Sequence, residues 1–309
     1  MWPFRPKTPP RASRIAIKPP VADAVQAPLA LVLIVRNEAA RLYDWLTFHA
    51  LAGVSHVFIY DNASDDDTVA IAQAFTGCDV TVIPWVLNTS EARTGMILPR
   101  QILAYAHAIS TFGGGFKRMG FIDTDEYLVP KDHATLPAAL AALNHPANLS
   151  LPWAMFGHNG HDGPASDAVP FAYTARAAVS QGPLLNYKCI VDPCALTQVS
   201  THKFEVAGSN KTTNTRGAIA TNKTRSGAFV CDDVIQMNHY YLMSRSEMRA
   251  KMDNPAVSGT DPAKRGAAIA KKAALIEAAP VQDDAAVAFL ARHGITTTAQ
   301  LRAKFAGPA

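Results

Sequence analysis

The sequence predicts an α/β fold built on a Rossmann-like, doubly wound sheet. Residues 29–83 alternate apolar, β-branched runs with segments of helical periodicity, in the order strand, helix, strand, helix, strand. Residues 119–122 form a further apolar run that leads into Asp123 and Asp125, and ligands of open α/β sheets gather at such carboxyl ends of strands. The chain has 309 residues, 49% of them hydrophobic, which is enough to bury a large core.

The first half of the sheet has short, well-marked elements. Residues 29–35 are continuously apolar, as in a parallel strand covered on both faces. Leu42, Trp45 and Leu46 then recur at helical spacing, and Gly53 marks the end of that helix. We therefore expect strands at 29–35, 54–60 and 79–83 and helices at 38–51 and 68–75.

The later segments are more mixed. We expect helices at 96–112 and 136–143 and short β-like runs at 187–191, 196–199 and 230–236. Residues 205–226 are dense in Thr, Asn, Gly and Lys, which favours a mobile loop that acts as a lid. An Ala- and Lys-rich tail follows, in which Asp261 and the proline after it predict a helix start. Helices are expected at 261–278, 284–293 and 298–305, as a helical extension.

The charge of the chain argues against nucleic acid as its main partner. The net charge is +4, but the first 20 residues hold five basic residues and no acid, so the remainder is about neutral. Residues 1–28 are expected to be a disordered basic tail, either solvated or in peripheral contact with anionic lipid at the inner face of a membrane. The apolar run at 27–35 is shorter than the roughly 20 residues that a membrane span needs. Cys78, Cys189, Cys194 and Cys231 form no C-x-x-C pair and indicate buried thiols in a reducing cytoplasm.

The acidic pair is the strongest chemical signal in the sequence. Asp123 and Asp125, with one residue between them, can share a hard divalent cation, which would clamp a diphosphate and offset charge on a leaving group. In isolation, a solvated acidic turn explains the same pattern equally well. Its position behind an apolar strand favours the metal-binding interpretation.

Several motifs together resemble the GT-A glycosyltransferases, nearest to families 2 and 92. They are Val-Arg-Asn-Glu at 35–38, Tyr-Asp-Asn-Ala-Ser-Asp-Asp-Asp-Thr at 60–68, Ile-Asp-Thr-Asp-Glu-Tyr-Leu at 122–128, and segments 153–160, 187–193 and 238–244. The resemblance covers about residues 29–250 and implies a GT-A mixed sheet with flanking helices, followed by a C-terminal helical extension over 251–309. It also implies a nucleotide-sugar donor, most simply a UDP-sugar, Mn²⁺ or Mg²⁺, and a glycan or glycolipid acceptor, as in polysaccharide or lipopolysaccharide biosynthesis.

The resemblance also assigns residues to the donor side. The nucleoside needs hydrogen-bonding groups at the ends of the first two strands, where Arg36, Glu38, Asp61 and Asn62 fall, although Asp61 also suits a simple turn. Gln101 resembles a donor-side glutamine, with a helix-surface residue as the alternative. Lys188 and Lys203 are expected either to meet the diphosphate as point charges or to be solvated.

The acceptor and the catalytic base are assigned to the second half of the domain. Trp153, Phe156 and Gly157 resemble the acceptor floor of the family, because an indole face stacks on a sugar ring; a core position for Trp153 is the alternative. Inversion of the sugar needs a carboxylate that takes a proton from the acceptor hydroxyl. Asp162 is the first candidate for this base, followed by Asp233 and Glu126.

A histidine is expected to complete the metal site, because manganese accepts imidazole readily. We prefer His202, which follows a short β-like run, over His239, which could instead contact a phosphate. The overall prediction is a metal-dependent, inverting glycosyltransferase. The alternatives are a nucleotidyltransferase, which would normally show a Gly-rich loop after its first strand, and a non-catalytic glycan-binding module.

Overall fold

The computed structural model describes residues 10–253 and 262–306. The helices are α1 (Ala39–Leu51), α2 (Thr68–Ala74), α3 (Arg100–Phe112), α4 (Leu136–Ala142), α5 (Val169–Ala172), α6 (Arg245–Asp253), α7 (Pro262–Glu277), α8 (Ala285–Arg292) and α9 (Thr298–Ala303). The strands are β1 (Ile15–Ala16), β2 (Ala30–Val35), β3 (His56–Asp61), β4 (Asp79–Pro84), β5 (Thr89–Ser90), β6 (Ile97–Leu98), β7 (Met119–Phe121), β8 (Glu126–Pro130), β9 (Asn148–Met155), β10 (Ala175–Ala177), β11 (Tyr187–Val191), β12 (Leu196–Val199), β13 (Glu205–Val206), β14 (Lys211–Thr213), β15 (Ile219–Thr221), β16 (Ile235–His239) and β17 (Pro280–Gln282).

A mixed sheet organises the fold and confirms the predicted α/β class. Its strands follow the order β15-β14-β9-β11-β7-β2-β3-β4, with β16 paired to β8 and β9. Strands β7, β2, β3 and β4 are parallel, whereas β11 runs antiparallel to both β7 and β9. The parallel half therefore directs its carboxyl ends to one edge, where ligand sites of such sheets form.

Helices cover both faces of the parallel half, as a doubly wound sheet requires. Alternate side chains of β2 enter different cores: Leu31 and Leu33 pack in the cluster that contains α1, whereas Ala30 and Val32 pack in the cluster that contains α3. Helix α3 begins at Arg100, four residues later than predicted, because β6 pairs with β5 just before it.

The second half of the domain brings distant segments against the acidic turn. Strand β16 pairs antiparallel with β8, in a register that sets His239 opposite Glu126, and it also pairs parallel with β9. The predicted strand at 230–236 is thus shifted toward the carboxyl side. This shift places the end of β16, and His239 with it, beside Asp125.

Two segments that were expected to be flexible are part of the fold. The prediction of a disordered tail over 1–28 is wrong for its later part, because β1 pairs with β12 and the side chain of Gln26 donates to the carbonyls of Gly114 and Phe116. Residues 1–9 lie outside the described residues. The prediction of a mobile loop over 205–226 is also wrong, because this segment contains regular strands. Strand β14 pairs with β9 in the main sheet and with β15 in a hairpin.

The C-terminal helices pack onto the domain. Phe289, Leu290 and Leu301 are fully buried in the same core as α1. The guanidinium of Arg302 holds both carboxylate oxygens of Asp44, with Nε–Oδ1 at 3.0 Å and Nη2–Oδ2 at 2.8 Å. Asp261, expected to cap α7, lies outside the described residues. Among the described residues, no helix has the length and apolar content to cross a membrane.

Candidate functional site

The acidic turn lies between β7 and β8, at the carboxyl edge of the parallel strands. Glu126 starts β8, and its side chain accepts a hydrogen bond from the backbone N–H of Asp123 at 2.8 Å. The backbone N–H of Glu126 donates in return to the carbonyl of Asp123 at 3.1 Å. These two bonds fix the turn, so that Asp123 and Asp125 leave it toward different partners.

Asp123, whose side chain is 38% exposed, contacts a cluster of polar side chains. The Nζ atom of Lys188 lies 2.8 Å from Asp123 Oδ2 and 3.2 Å from Glu126 Oε2, and Gln101 donates to Asp123 Oδ1 at 3.1 Å. The side chains of Lys188 and Glu126 are fully buried. Burial alone would lower the pKa of Lys188, but the two carboxylates outweigh it and hold that pKa well above its usual value. Lys188 is therefore not available to a diphosphate, which corrects that assignment.

Glu126 is enclosed by the same cluster. Burial raises the pKa of Glu126 above its usual value, although the ammonium of Lys188 opposes the shift. Because the side chain has no exposed surface, Glu126 cannot take a proton from an acceptor hydroxyl. Its role as a catalytic base is therefore wrong, and the residue holds the turn instead.

Asp125, whose side chain is 20% exposed, contacts a different pair of basic side chains. His239 Nε2 lies 3.4 Å from Asp125 Oδ2, and Lys251 Nζ, from α6, lies 3.2 Å from the same oxygen. Burial would raise the pKa of Asp125, but Lys251 and His239 outweigh it and hold that pKa well below its usual range. Asp125 is thus held as an anion by two basic side chains, Lys251 and His239.

Asp125 and His239 are suitably placed for a shared divalent cation. Adjacent ligands of an octahedral ion, each about 2.1 Å from the metal, are roughly 3 Å apart, close to the observed 3.4 Å. Magnesium and manganese sites commonly take one or two protein ligands and complete their coordination with water and phosphate oxygens. In the described part of the chain, no group of three or more His, Cys, Asp or Glu side chains is arranged to hold a metal ion. The geometry therefore fits a two-ligand site.

His202, the preferred third ligand in the sequence, contacts Trp153, as His239 does, but makes no ion pair with Asp125 among the described residues. The Trp153 ring contacts both histidines edge-on, at 5.4 Å from His202 and 4.3 Å from His239 between ring centroids. The Nδ1–H of His202 donates to the carbonyl of Tyr187 at 2.9 Å, and burial lowers the pKa of the ring to about 3. The structure thus favours His239 over His202 as the partner of Asp125.

A large cavity opens at the ends of β2 and β3. Its volume is about 1130 Å³, enough for a nucleotide, and its wall is strongly basic. Among the described residues, Arg36, Lys203 and Lys223 make no ion pair within 4 Å with a carboxylate. The wall also includes Arg11, Arg14, Glu38, Asn62, Arg100, Gln101, Asn186, His202, Glu205 and Asn222.

The donor-side residues of the first two strands surround this cavity in part. Arg36 is exposed on its wall, and Asn62 accepts a hydrogen bond from Arg100 at 2.9 Å. Glu38 is mostly buried and paired to Arg41 at 3.1 Å, and burial raises its pKa. Asp61 accepts the backbone N–H of Ser64 at 3.2 Å, the turn role that was the alternative for it.

The predicted acceptor floor is buried. Trp153 is 8% exposed and Phe156 1% exposed, and Phe156 packs against Tyr240 with ring centroids 4.6 Å apart. Gly157 lies against Glu277 of α7, whose carboxylate accepts the backbone N–H of His158 at 2.7 Å. These three residues are therefore part of the packed interior, and none offers a free face to a sugar.

Two carboxylates proposed as the base differ in position. Asp162 is 87% exposed and pairs with Arg245 at the start of α6, the helix that carries Lys251. Asp233 pairs with Arg216 just before β16 begins, whereas His239 ends that strand. Six residues of extended chain separate Asp233 from His239, a distance of roughly 20 Å. The structure thus separates Asp233 from His239 along β16 and places Asp162 against the start of α6.

Lys251 and Lys272 are site residues that the sequence analysis missed. Lys251 is on α6, and Lys272 is on α7, where its Nζ atom lies 5.0 Å from the ring of Tyr241 and 5.9 Å from that of Trp153. Both occupy a Lys-rich stretch that resembles any solvated helix face. Only the packing of α6 against α7, and of α7 against β10, which brings both lysines over Tyr241, distinguishes them from the other lysines.

The comparisons with known proteins assign the chain to a family. The α/β sheet, with an acidic turn and a basic cavity at its carboxyl edge, is typical of a ligand-binding α/β protein. More specifically, the chain belongs to glycosyltransferase family 92, because the sequence model of that family matches residues 33–254.

Individual relatives overlap with part of the chain. It is 27% identical over 176 residues to a glycosyltransferase family 92 protein of Ricinus communis, covering 54% of this chain and 29% of that protein. It is also 27% identical over 175 residues to a glycosyltransferase family 92 protein of Oryza sativa subsp. japonica. That match covers 54% of this chain and 27% of that protein. The chain thus spans about three tenths of the length of these relatives.

Solved structures show weaker similarity. S. aureus TarS aligns with a TM-score of 0.32 and 16% identity over 54% of this chain and 29% of that chain. A second structure is glucosyl-3-phosphoglycerate synthase from Mycobacterium tuberculosis, solved with Mn²⁺, UDP and glucosyl-3-phosphoglycerate. It aligns with a TM-score of 0.26 and 16% identity, and the alignment covers 41% of this chain and 44% of that chain.

Proposed function

We propose that this protein is a glycosyltransferase that moves a sugar from a nucleotide diphosphate donor, most simply a UDP-sugar, to a hydroxyl of a glycan or glycolipid. Membership of glycosyltransferase family 92 supports the reaction class. The single observation that carries the proposal is the Asp125–His239 pair, at 3.4 Å, at the carboxyl edge of a parallel sheet that also borders a basic cavity.

The donor would bind with its nucleoside in the cavity. Arg36 and Lys203 on the wall supply positive charge for the phosphates, and Asn62 and Gln101 supply hydrogen-bonding groups. Asp61 remains our candidate for the ribose, because it ends β3 beside Asn62. Asp123 was predicted to bind the metal together with Asp125. We assign it an indirect role instead, because Lys188 and Gln101 already contact its two carboxylate oxygens.

Asp125 and His239 would hold the divalent cation. Such an ion, when bound, offsets negative charge that develops on the diphosphate leaving group. The protein itself contributes an anionic Asp125 and a neutral His239, since burial lowers the pKa of that histidine. Lys251, which shares the same carboxylate oxygen, would have to turn toward the donor phosphates as the ion binds.

Transfer to a hydroxyl needs a base. Asp162 is our candidate, because it is exposed and lies at the start of α6, whereas Glu126 is sealed and Asp233 is remote. A carboxylate on the side opposite the leaving group would give inversion. We also propose that the basic N-terminal tail contacts the membrane surface. The proposed location of the protein is the cytoplasm.

The experiment is a donor screen with Mn²⁺, using UDP- and GDP-sugars and measuring release of the nucleoside diphosphate. We expect slow, metal-dependent hydrolysis of one donor in the absence of acceptor. A glycan-binding module would leave every donor intact. A nucleotidyltransferase would instead release pyrophosphate from a nucleoside triphosphate and a sugar phosphate, and either result would contradict the proposal.

A further inference from the structure

Two lysines from consecutive helices lie over one aromatic ring beside Asp125. The Nζ atom of Lys251 is 4.4 Å from the centroid of Tyr241, and that of Lys272 is 5.0 Å from it. Lys251 also contacts Asp125 Oδ2 and the carbonyl of Tyr241, both at 3.2 Å. Two ammonium groups are thereby held over the ring of Tyr241, and one of them contacts Asp125.

The charge of this pair is only partly balanced. Lys251 has Asp125 as a partner, whereas Lys272 makes no ion pair within 4 Å with any carboxylate in the described part of the chain. Burial and the nearby charge of Lys251 both lower the pKa of Lys272. Half-buried like charges are unfavourable unless an anion joins them. The arrangement therefore has room for one more negative group.

A neighbouring donor also lacks a partner among the described residues. The indole N–H of Trp153 is buried and makes no hydrogen bond to any of them, although Lys272 lies over the same ring at 5.9 Å. A buried donor without a partner is costly, and a bound ligand is one explanation for it. This observation is independent of the two lysines and concerns the same patch.

We propose that Lys251 and Lys272, over Tyr241 and next to Trp153, form an oxyanion subsite that binds a phosphate or carboxylate group of a substrate. The inference rests on the proposed function for its place in the reaction, but its chemistry stands on these contacts. Lys272 lies beyond residues 33–254, which the family model matches. Lys251, Tyr241 and Trp153 lie inside that range, so only the contribution of Lys272, on α7, comes from the C-terminal extension.

The two sources of such an anion predict different behaviour. If the subsite holds the donor diphosphate, Lys251 passes from Asp125 to a phosphate oxygen when the donor binds. If it holds an acidic group of the acceptor, the nucleotide binds without it. In both cases the ammonium of Lys272 makes a charge-assisted hydrogen bond to an anionic oxygen.

The test compares Lys272→Met with Lys271→Met, which removes the neighbouring exposed lysine of the same helix. Calorimetry would measure binding of UDP, GDP, pyrophosphate, inorganic phosphate, glucuronate and uridine. We expect Lys272→Met to weaken either the diphosphates or glucuronate by about tenfold, and Lys271→Met to change neither. Uridine should bind both variants like the wild type.

The outcomes separate the sources. Weaker UDP and pyrophosphate binding identifies the donor diphosphate, and weaker glucuronate binding with unchanged UDP identifies an acidic acceptor. Unchanged binding of all the anions, or an equal loss in Lys271→Met, would overturn the subsite. A wild-type protein that binds no nucleotide would instead contradict the proposed function, and the phosphate and glucuronate measurements would still decide the subsite.

A second measurement needs no variant. Acetylation of the wild-type lysines, followed by mass spectrometry, reports their access to reagent. We expect pyrophosphate or glucuronate to slow modification of Lys272 severalfold and to leave Lys271 unchanged. Equal rates with and without the anions would count against the subsite even if Lys272→Met failed to fold.

Discussion

The two sides of the acidic turn differ in how their charges are held. Behind it, Lys188 and Glu126 have no exposed surface and are paired with each other and with Asp123. In front of it, Asp125 meets Lys251, whose side chain is 34% exposed. The cavity, whose wall includes the Asp123 partner Gln101 but neither Asp125 nor Lys251, carries Arg36 and Lys203 without carboxylate partners among the described residues. The rear Lys188–Glu126 pair is therefore structural, whereas Lys251 at the front is exposed enough for a substrate to replace its contact with Asp125.

The largest effect should come from breaking the rear cluster. Lys188→Met leaves the buried carboxylate of Glu126 without its cation, and removing one partner of a buried pair costs about 3–5 kcal/mol. We expect that loss in the free energy of unfolding, measured with urea. Lys203→Met, an exposed lysine of the cavity wall, is the matched control and should change it by less than about 0.5 kcal/mol.

A similar loss in both variants would remove the distinction between the two sides. The double variant Lys188→Met with Glu126→Gln sharpens the test. Because it deletes both charges, it should recover part of the stability lost in Lys188→Met.

The next effect concerns the base at the front. Asp162→Asn removes a carboxylate that can accept a proton, and we expect kcat to fall about 100-fold, the lower end for loss of general-base catalysis. Asp233→Asn is the matched control, because Asp233 is also paired to an exposed arginine but lies at the far end of β16. Comparable rates for the two variants would assign the proton transfer to another group.

The smallest effect should come from the cavity wall. Lys203→Met removes one exposed charge, and exposed ion pairs contribute about 0.3–1 kcal/mol. We expect UDP to bind two- to fivefold more weakly at low salt, with the difference disappearing at high salt because such charges are screened. A loss that persists at high salt would show that Lys203 makes a direct, buried contact.

Local patterns predicted the parallel half of the fold. Leu42, Trp45 and Leu46 of α1 show helical periodicity, and the apolar run of β2 has no competing interpretation, so both elements lie within a residue or two of their predicted bounds. The acidic turn follows from the same strand pattern. Such signals are contained in a few consecutive residues.

Long-range pairing set the rest of the site and was not predictable. Lys188 and Asp123 are 65 residues apart, and a lysine in a short strand looks the same whether it faces solvent or a carboxylate. His239 could be named from the sequence, but its place beside Asp125 depends on the register of β16 on β8. Trp153 suggested a sugar platform because of its chemistry, whereas β9 lies between β11 and β16 and buries it.

The central claim is that Asp125 and His239 together hold a divalent cation, and Mn²⁺ affinity measured in the presence of UDP tests it most directly. We expect Asp125→Asn and His239→Ala each to weaken Mn²⁺ binding by roughly 100-fold or more, while His202→Ala stays within about threefold of the wild type. A His202→Ala protein that loses the ion while His239→Ala retains it would contradict the account, as would wild-type affinity in both Asp125→Asn and His239→Ala.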